Sequence, residues 1–212
     1  MCLCCRVPVV FDHKTDYMPD IIKATEDIDV QVIFNNAGYI VTAFFDHTTL
    51  DAQLANMECN ATSCVKITHH FLQRLLKKNL KGCFVFTSSV SGYIPNPFAV
   101  MYGATKGFVS QFAASLAIEV ASQGIDVLAV HPSPVASNFF DKAAKLDSLE
   151  MAKKTAVSPS TVSECLRVFG ASLHCIGIAL ECVDSTCFEQ MCIVAWVYLF
   201  GQDYQGLSTL SI

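Results

Sequence analysis

Apolar residues gather in three short runs, separated by longer segments in which they recur every three to four positions. Val30-Gln31-Val32-Ile33-Phe34, Cys83-Phe84-Val85-Phe86-Thr87 and the stretch Ile125 to His131 are mostly apolar and do not alternate in polarity. Runs of this length predict strands buried on both faces. Arg6 to Asp12 predicts a further strand ahead of them, with Asp12 at its end. Tyr17 to Ile28 predicts a helix with Pro19 in its first turn. Thr48 or Thr49 can cap a long helix reaching about Lys78, with Leu50, Leu54, Met57, Ala61, Cys64, Val65 and Thr68 along one face. Val100 to Ser122 predicts another helix, ended near Gly124, and Pro132 and Pro134 stop the strand that follows. Strands alternating with helices predict an α/β fold with a doubly wound parallel sheet.

Beyond about Asn138 the pattern changes. Ser158-Pro159-Ser160-Thr161 reads as a cap opening a helix through Phe169. Met191 to Phe200 is an apolar stretch of ten residues, too short to cross a bilayer as a helix. It predicts a core helix or a membrane-surface helix, with an apolar lid over a lipid-like substrate as a third reading. Residues 1–140 therefore read as the core of the domain. Residues 141–212 read as its C-terminal apolar helical extension.

Composition narrows the classes. The 212 residues are 52% hydrophobic and 16% charged, which suits one domain with a large core. A net charge of −5 argues against a nucleic-acid partner, which needs a basic face. Lys77, Lys78 and Lys81 read as a solvated helix end. The 11 cysteines show no metal-like pairing, and with no signal peptide they point to a reducing compartment. Cys59, Cys64 and Cys83 read as small apolar residues. Cys2, Cys4 and Cys5 read as a strand edge, with palmitoylation as the alternative. His69 and His70 are adjacent and cannot form a metal pair on one helix face, so no metal is expected.

Candidate chemistry enters at Tyr102-Gly103-Ala104-Thr105-Lys106. A tyrosine and a lysine four positions apart share one face of a helix. An ammonium beside a phenol lowers its pKa and makes it a usable proton donor or acceptor near neutral pH. Ser89 lies 13 positions earlier, just past the second apolar run. A strand end leading into a helix is where open α/β sheets hold ligands. Each element has a plainer reading: a surface pair for Tyr102 and Lys106, a loop cap for Ser89, a polar helix face for Asn60, a solvated carboxylate for Asp12. It is their order that carries the signal.

Asn35-Asn36-Ala37-Gly38 follows the first run, Asn60 lies within the long helix, and Ser89-Val90-Ser91-Gly92 follows the second run. Tyr102 and Lys106 come next, and Pro132-Ser133-Pro134-Val135 follows the third run. Over roughly residues 6 to 140 this set resembles the short-chain dehydrogenase/reductase family. The resemblance implies a Rossmann-like fold and hydride exchange between a nicotinamide and a carbonyl or alcohol. It implies Tyr102 as acid/base, Lys106 lowering its pKa and bonding the nicotinamide ribose, and Ser89 holding the substrate oxygen. Asn60 would hold a water that links the lysine to solvent. Asn36, Ala37 and Gly38 would admit the adenine ribose, with the asparagine side chains tying adjacent strands. Asp12 would contact the adenine amino group. Pro132, Val135 and Ser137 would meet the nicotinamide amide, although Pro132-Ser133 stands where the family usually has Pro-Gly.

The first glycine of this sequence is Gly38, so the family's Thr-Gly-x-x-x-Gly-x-Gly turn and its first strand are not in it. The chain reads as an N-terminally truncated member. Ser91-Gly92-Tyr93-Ile94-Pro95-Asn96-Pro97 and Tyr102 to Val109 look most like the branch of very-long-chain 3-oxoacyl-CoA reductases and 17-beta-hydroxysteroid dehydrogenases. That branch implies NADP, with NAD not excluded, and a hydrophobic acyl or steroid ketone as substrate. It also implies the cytosolic face of the endoplasmic reticulum membrane, with the cytoplasm as the alternative. A membrane surface and a homodimer stay open as partners. The alternative function is a non-catalytic remnant acting as a binding or interaction protein.

Overall fold

The computed structural model describes residues 8–132, 134–136, 139, 154, 156–158, 160 and 197–199. The elements are α1 (Met18–Ala24), β1 (Val32–Asn35), α2 (Leu50–Met57), α3 (Ser63–Lys78), β2 (Gly82–Thr87), α4 (Val100–Val120), β3 (Ile125–Val130) and β4 (Val197–Leu199). The strands form one sheet in the order β1-β2-β3-β4. β1 pairs parallel with β2, Val32 opposite Cys83, and β2 pairs parallel with β3, Gly82 opposite Ile125. β4 pairs antiparallel with β3, Val130 opposite Val197.

The non-alternating runs are buried on both sides, as their composition requires. Phe84 and Phe86 meet Phe71 and Leu75 of α3 and Val109, Ala113 and Ala117 of α4 in one apolar cluster. Cys83, Val85, Leu128 and Val130, on the opposite face, are also buried. Each such side chain contributes about 1.5–3 kcal/mol by leaving water. The α/β doubly wound architecture expected from the sequence is thus present. Cys64 and Cys83 are buried within it, and Cys59 is partly exposed.

Four expectations need correction. Residues 8–12 form no strand, so Asp12 does not end one; its carboxylate accepts from the Lys14 amide at 3.0 Å and faces His13 Nδ1 at 3.1 Å. α1 stops at Ala24 rather than Ile28, because the Thr25 hydroxyl turns back to the Ile21 carbonyl at 2.8 Å. Val197–Leu199 is strand where Met191 to Phe200 predicted helix; a short apolar run is ambiguous between the two. Among the described residues no helix is long and apolar enough to cross a membrane.

The fourth concerns the long helix. Thr49 caps it, its hydroxyl accepting from the Ala52 amide at 3.2 Å. The helix does reach Lys78, but a π turn at Glu58–Thr62 separates α2 from α3. A π turn inserts one residue into the helical repeat. The inward face runs through Ala61 of the π turn and Cys64 and Thr68 of α3 as expected, but in α2 it falls on Gln53 and Asn56. Leu50, Leu54 and Met57 are exposed instead. Residues 1–7, Ser133, Ser137 and most of the C-terminal extension, including residues 161–169 of the helix expected after the Ser158-Pro159-Ser160-Thr161 cap, lie outside the described residues.

Candidate active site

The site lies at the carboxyl ends of β1, β2 and β3, where the chain leaves each strand for a loop. β2 ends at Thr87, and Ser88 extends the ladder by donating its amide to the Val130 carbonyl at 2.8 Å. The next residue, Ser89, begins a 3-10 turn over Val90–Gly92 and is buried. The Ser91 amide donates to Ser89 Oγ at 3.2 Å. That leaves the Ser89 hydroxyl proton available elsewhere, and the Ser89 side chain acts on the Tyr102 phenol, lowering its pKa.

α4 carries Tyr102 and Lys106 one turn apart on its inner side. Lys106 is 3% exposed, and its ammonium donates to the Thr87 carbonyl at 2.6 Å. It also lies 5.7 Å from the centre of the Tyr102 ring. Burial pushes the Lys106 pKa down to about 8. Burial also raises the Tyr102 phenol above its ordinary value, and the Ser89 side chain partly opposes this. The sequence led to the reverse expectation, a phenol lowered by Lys106. Desolvation outweighs that effect here, with the ammonium committed to a carbonyl.

The loop after β1 supplies the opposite wall. Thr87 Oγ donates to Asn36 Oδ1 at 2.8 Å, so Asn36 ties β1 to β2 as expected. Asn35 does not tie strands: its Nδ2 donates to Thr68 Oγ1 on α3 at 3.0 Å. Ala37 is exposed. Asn60 sits in the π turn, 1% exposed, and clamps the Tyr39 backbone from both sides. Its Nδ2 donates to the Tyr39 carbonyl at 2.9 Å, and its Oδ1 accepts from the Tyr39 amide at 2.9 Å. Asn60 Nδ2 also reaches Thr105 Oγ1 at 3.3 Å, which connects the π turn to α4. A Cβ on Gly38 would lie 3.2 Å from Asn60 Oδ1 and 3.5 Å from Lys106 Nζ. Gly38 therefore keeps a small space open between those two side chains.

On the β3 side, Val135 is buried and bridges Val157 in parallel, through Ala136 N to Val157 O and Val157 N to Pro134 O, both at 3.0 Å. Such a bridge directs the amide and carbonyl of Val135 itself away from Val157. Pro132 is partly buried beside it.

Asn36, Gly38, Asn60, Ser89, Tyr102 and Lys106 thus converge. Asp12 stands apart, with His13 and Lys14 joined to Asp51 of α2. Three groups at the site had no place in the sequence reading. Thr87 binds Asn36 through its hydroxyl and Lys106 through its carbonyl. The Ser88 hydroxyl donates to the Lys106 carbonyl at 2.8 Å. Phe139 lies 5.8 Å from Tyr102, ring to ring. Position alone could have marked Thr87 and Ser88, since both sit between the strand and Ser89. A shallow groove between the 91–97 segment and the start of α4 is lined by Tyr93, Ile94, Pro95, Pro97 and Val100 together with Ser91 and Asn96, and neither Ser89 nor Tyr102 lines it. Among the described residues no cluster of three or more histidine, cysteine, aspartate or glutamate residues could hold a metal.

A family model described as short chain dehydrogenase matches residues 11–147. The chain belongs to the short-chain dehydrogenase family. A very-long-chain 3-oxoacyl-CoA reductase of Anas platyrhynchos is 30% identical over 74% of this chain and 53% of its own. A serine 3-dehydrogenase of Agrobacterium fabrum is 32% identical over 52% of this chain and 44% of its own. Among solved structures, a short-chain dehydrogenase from Sphingobium yanoikuyae in complex with NADPH superposes with a TM-score of 0.58. That structure is 26% identical, over 65% of this chain and 52% of the other. The chain spans roughly half the length of the curated family members it matches.

Proposed function

We propose that the chain carries the proton-transfer site of an NADP(H)-dependent reductase acting on a hydrophobic ketone, a 3-oxoacyl-CoA or a steroid. The observation that carries this reading is Tyr102 standing one helical turn from the buried Lys106, whose ammonium lies 5.7 Å from the phenol ring, with the Ser89 side chain close enough to act on the phenol. A phenol raised in pKa is protonated at neutral pH and so is ready to donate. Tyr102 gives its proton to the carbonyl oxygen as the alcohol forms, and Ser89 holds that oxygen in place. Lys106 keeps positive charge beside the phenolate that results. Asn60 fixes the wall facing Lys106 across Gly38.

The residues present fit the nicotinamide half of a dinucleotide. Gly38 leaves a gap that a Cβ would fill, bounded by Asn60 and Lys106. Lys106, Pro132, Val135 and Ser137 would hold that half, while Asn36, Ala37 and Gly38 would admit the adenine ribose. Bound there, a nicotinamide would supply the hydride. NADP is the form proposed, supported by the NADPH bound to the Sphingobium structure; NAD is the alternative. Two of the curated relatives act by name on acyl-CoA or steroid molecules, a very-long-chain 3-oxoacyl-CoA reductase and an estradiol 17-beta-dehydrogenase.

The same reading places the protein at the cytosolic face of the endoplasmic reticulum membrane, or else in the cytoplasm. Exposed Leu50, Leu54, Met57 and Ile118 offer an apolar surface to a membrane or to a second copy of the chain. Nucleic acid is not a proposed partner.

Calorimetric titration of the 212-residue chain with NADPH tests the cofactor, and loss of NADPH absorbance with a 3-oxoacyl-CoA or a steroid ketone tests the reaction. Low-micromolar binding and turnover are expected. A folded chain that binds neither NADPH nor NADH would instead act as a non-catalytic binding or interaction protein.

A further inference from the structure

Lys106 is held at both ends by neighbouring residues of the β2 exit. Its ammonium donates to the Thr87 carbonyl at 2.6 Å. Its own main-chain carbonyl accepts from the Ser88 hydroxyl at 2.8 Å. Ser88 is 1% exposed, and its amide, donating to the Val130 carbonyl at 2.8 Å, ties it to β3 as well. Ser110, one turn further along α4 and partly buried, completes a triangle of oxygens. Its Oγ lies 2.6 Å from Ser88 Oγ and donates to the Lys106 carbonyl at 2.9 Å. Two hydroxyl protons serve these three contacts, so two bonds form at a time. Any two of the three include one from Ser88, so every arrangement links the strand exit to α4. The Lys106 carbonyl lies inside α4, where the helix supplies its own donor. The serines therefore add an anchor rather than satisfy an orphan.

We infer that Ser88 and Ser110 are positioning residues for Lys106: their paired hydroxyls set how close α4 lies to the end of β2, and so fix the point from which the lysine stem reaches the Thr87 carbonyl. The inference rests on the role proposed above for Lys106. A lysine carries its charge on a flexible four-carbon stem, which does not by itself specify where the ammonium sits. Here the head is bonded to Thr87 and the main chain to Ser88, so both ends of the stem are referred to one strand end. Without the serine pair, α4 keeps its helical bonds but loses this polar tie. The helix then drifts from β2, the bond from the ammonium to Thr87 weakens, and the charge beside Tyr102 shifts with it.

The test uses the full chain with 13C in its backbone carbonyls, as wild type, Ser110→Thr, Ser110→Val and Lys106→Met. Threonine and valine both branch at Cβ and have nearly the same shape, so that pair isolates the hydroxyl. Lys106→Met marks the Thr87 carbonyl signal without its ammonium partner. Ser110→Val should move that signal toward the Lys106→Met position, and Ser110→Thr should hold it near the wild-type one. In NADPH-dependent ketone reduction, Ser88→Ala and Ser110→Val should each lower kcat about tenfold and raise the KM for NADPH. The KM for the ketone should stay unchanged, because Ser89 rather than Lys106 holds the ketone oxygen. Ser110→Thr should restore both altered parameters. A Thr87 signal at one position in Ser110→Val and Ser110→Thr overturns the inference, even where Ser88→Ala does not fold. So does a Ser88→Ala enzyme with the kcat and the KM for NADPH of the wild type. A wild type that reduces no ketone defeats the proposed function instead, and the Thr87 signal alone then decides the serine pair.

Discussion

Lys106 Nζ donates to the main-chain carbonyl of Thr87 at 2.6 Å, so the buried ammonium of α4 is held by the last residue of β2. This bond orients the charge toward the strand end, where Asn36 meets the Thr87 hydroxyl. It does not remove the cost of burial, which shows in the Lys106 pKa of about 8. The sign of the resulting pH dependence follows from proton counting. From about pH 8 to 10.5 the unfolded chain keeps a proton on Lys106 that the folded chain has released, so stability from this group rises with pH across that window. Below pH 8 both states are protonated and the burial penalty is constant. Urea unfolding of wild type and Lys106→Met at about pH 7.5 and about pH 10 should show the wild type gaining about 2 kcal/mol on the mutant. No relative gain would mean that the lysine is not desolvated.

Catalysis should follow the protonation states of the same two side chains. Tyr102 is raised in pKa, so it stays protonated at neutral pH and donates in the reduction direction. Lys106 loses its charge above about pH 8. Reduction should hold level from about pH 6.5 to 7.5 and decline above about pH 8, while oxidation of the alcohol, which needs a phenolate, should increase with pH. Tyr102→Phe should lower kcat by several orders of magnitude, and Ser89→Ala by about 10²–10³. Initial rates in both directions across the pH range check this, and equal rates for Tyr102→Phe and wild type would remove Tyr102 from the reaction.

Much of this arrangement was legible in the sequence. The strands around the site were read from runs such as Cys83 to Thr87, whose shortness and β-branched and aromatic content favour strand over helix. Tyr102, Lys106 and Ser89 were singled out by their spacing together with the order of the other motifs and the family resemblance. The sequence failed where one inserted residue changes the geometry. In the π turn at Glu58–Thr62 the inward face jumps from the Leu54-Met57 line to Gln53 and Asn56. Those polar residues are inward because the loop after β1 needs partners: Asn56 Nδ2 donates to the Tyr39 carbonyl at 2.9 Å, and Gln53 donates to Thr48. Hydrophobic periodicity cannot register a helix face chosen for hydrogen bonding. The pKa of Tyr102 was misjudged for a related reason, since spacing reports the proximity of Lys106 but not the loss of water around both groups.

Glu58 tests how the π turn is held. It is buried, and its Oε1 accepts from Tyr17 Oη at 2.5 Å and from Lys66 Nζ at 2.6 Å. Lys66 also sits 4.9 Å from the centre of the Tyr17 ring. Tyr17 is 1% exposed, and burial with the neighbouring carboxylate raises its pKa, so its hydroxyl remains a donor. Glu58→Ala strands that hydroxyl without a partner and should cost about 3 kcal/mol. Glu58→Gln keeps an acceptor and should cost less. Thermal unfolding of both variants checks the order; equal losses would mean that packing rather than the carboxylate holds the turn.

Gly92 is where the Ser89 turn meets α4, and it decides whether that turn can seat at all. A Cβ there would stand 2.8 Å from Gly107 N and 2.9 Å from Lys106 C, both main-chain atoms of a helix that cannot yield cheaply. The turn must therefore move away from α4, taking the Ser89 hydroxyl away from Tyr102. Gly92→Ala should lose about 1–3 kcal/mol of stability by overpacking. It should also lose about 10²-fold in kcat, because a displacement near 1 Å at the reacting groups has that effect. At Gly124 the backbone has φ of +70° and a Cβ would come no closer than 3.4 Å to the Lys81 side chain, remote from the site. Gly124→Ala should cost about 1 kcal/mol through backbone strain while leaving kcat unchanged. Chemical unfolding and turnover measured on both variants separate a general loss of stability from a specific loss of alignment, and a fully active Gly92→Ala would show that Ser89 does not depend on the docking of its turn against α4.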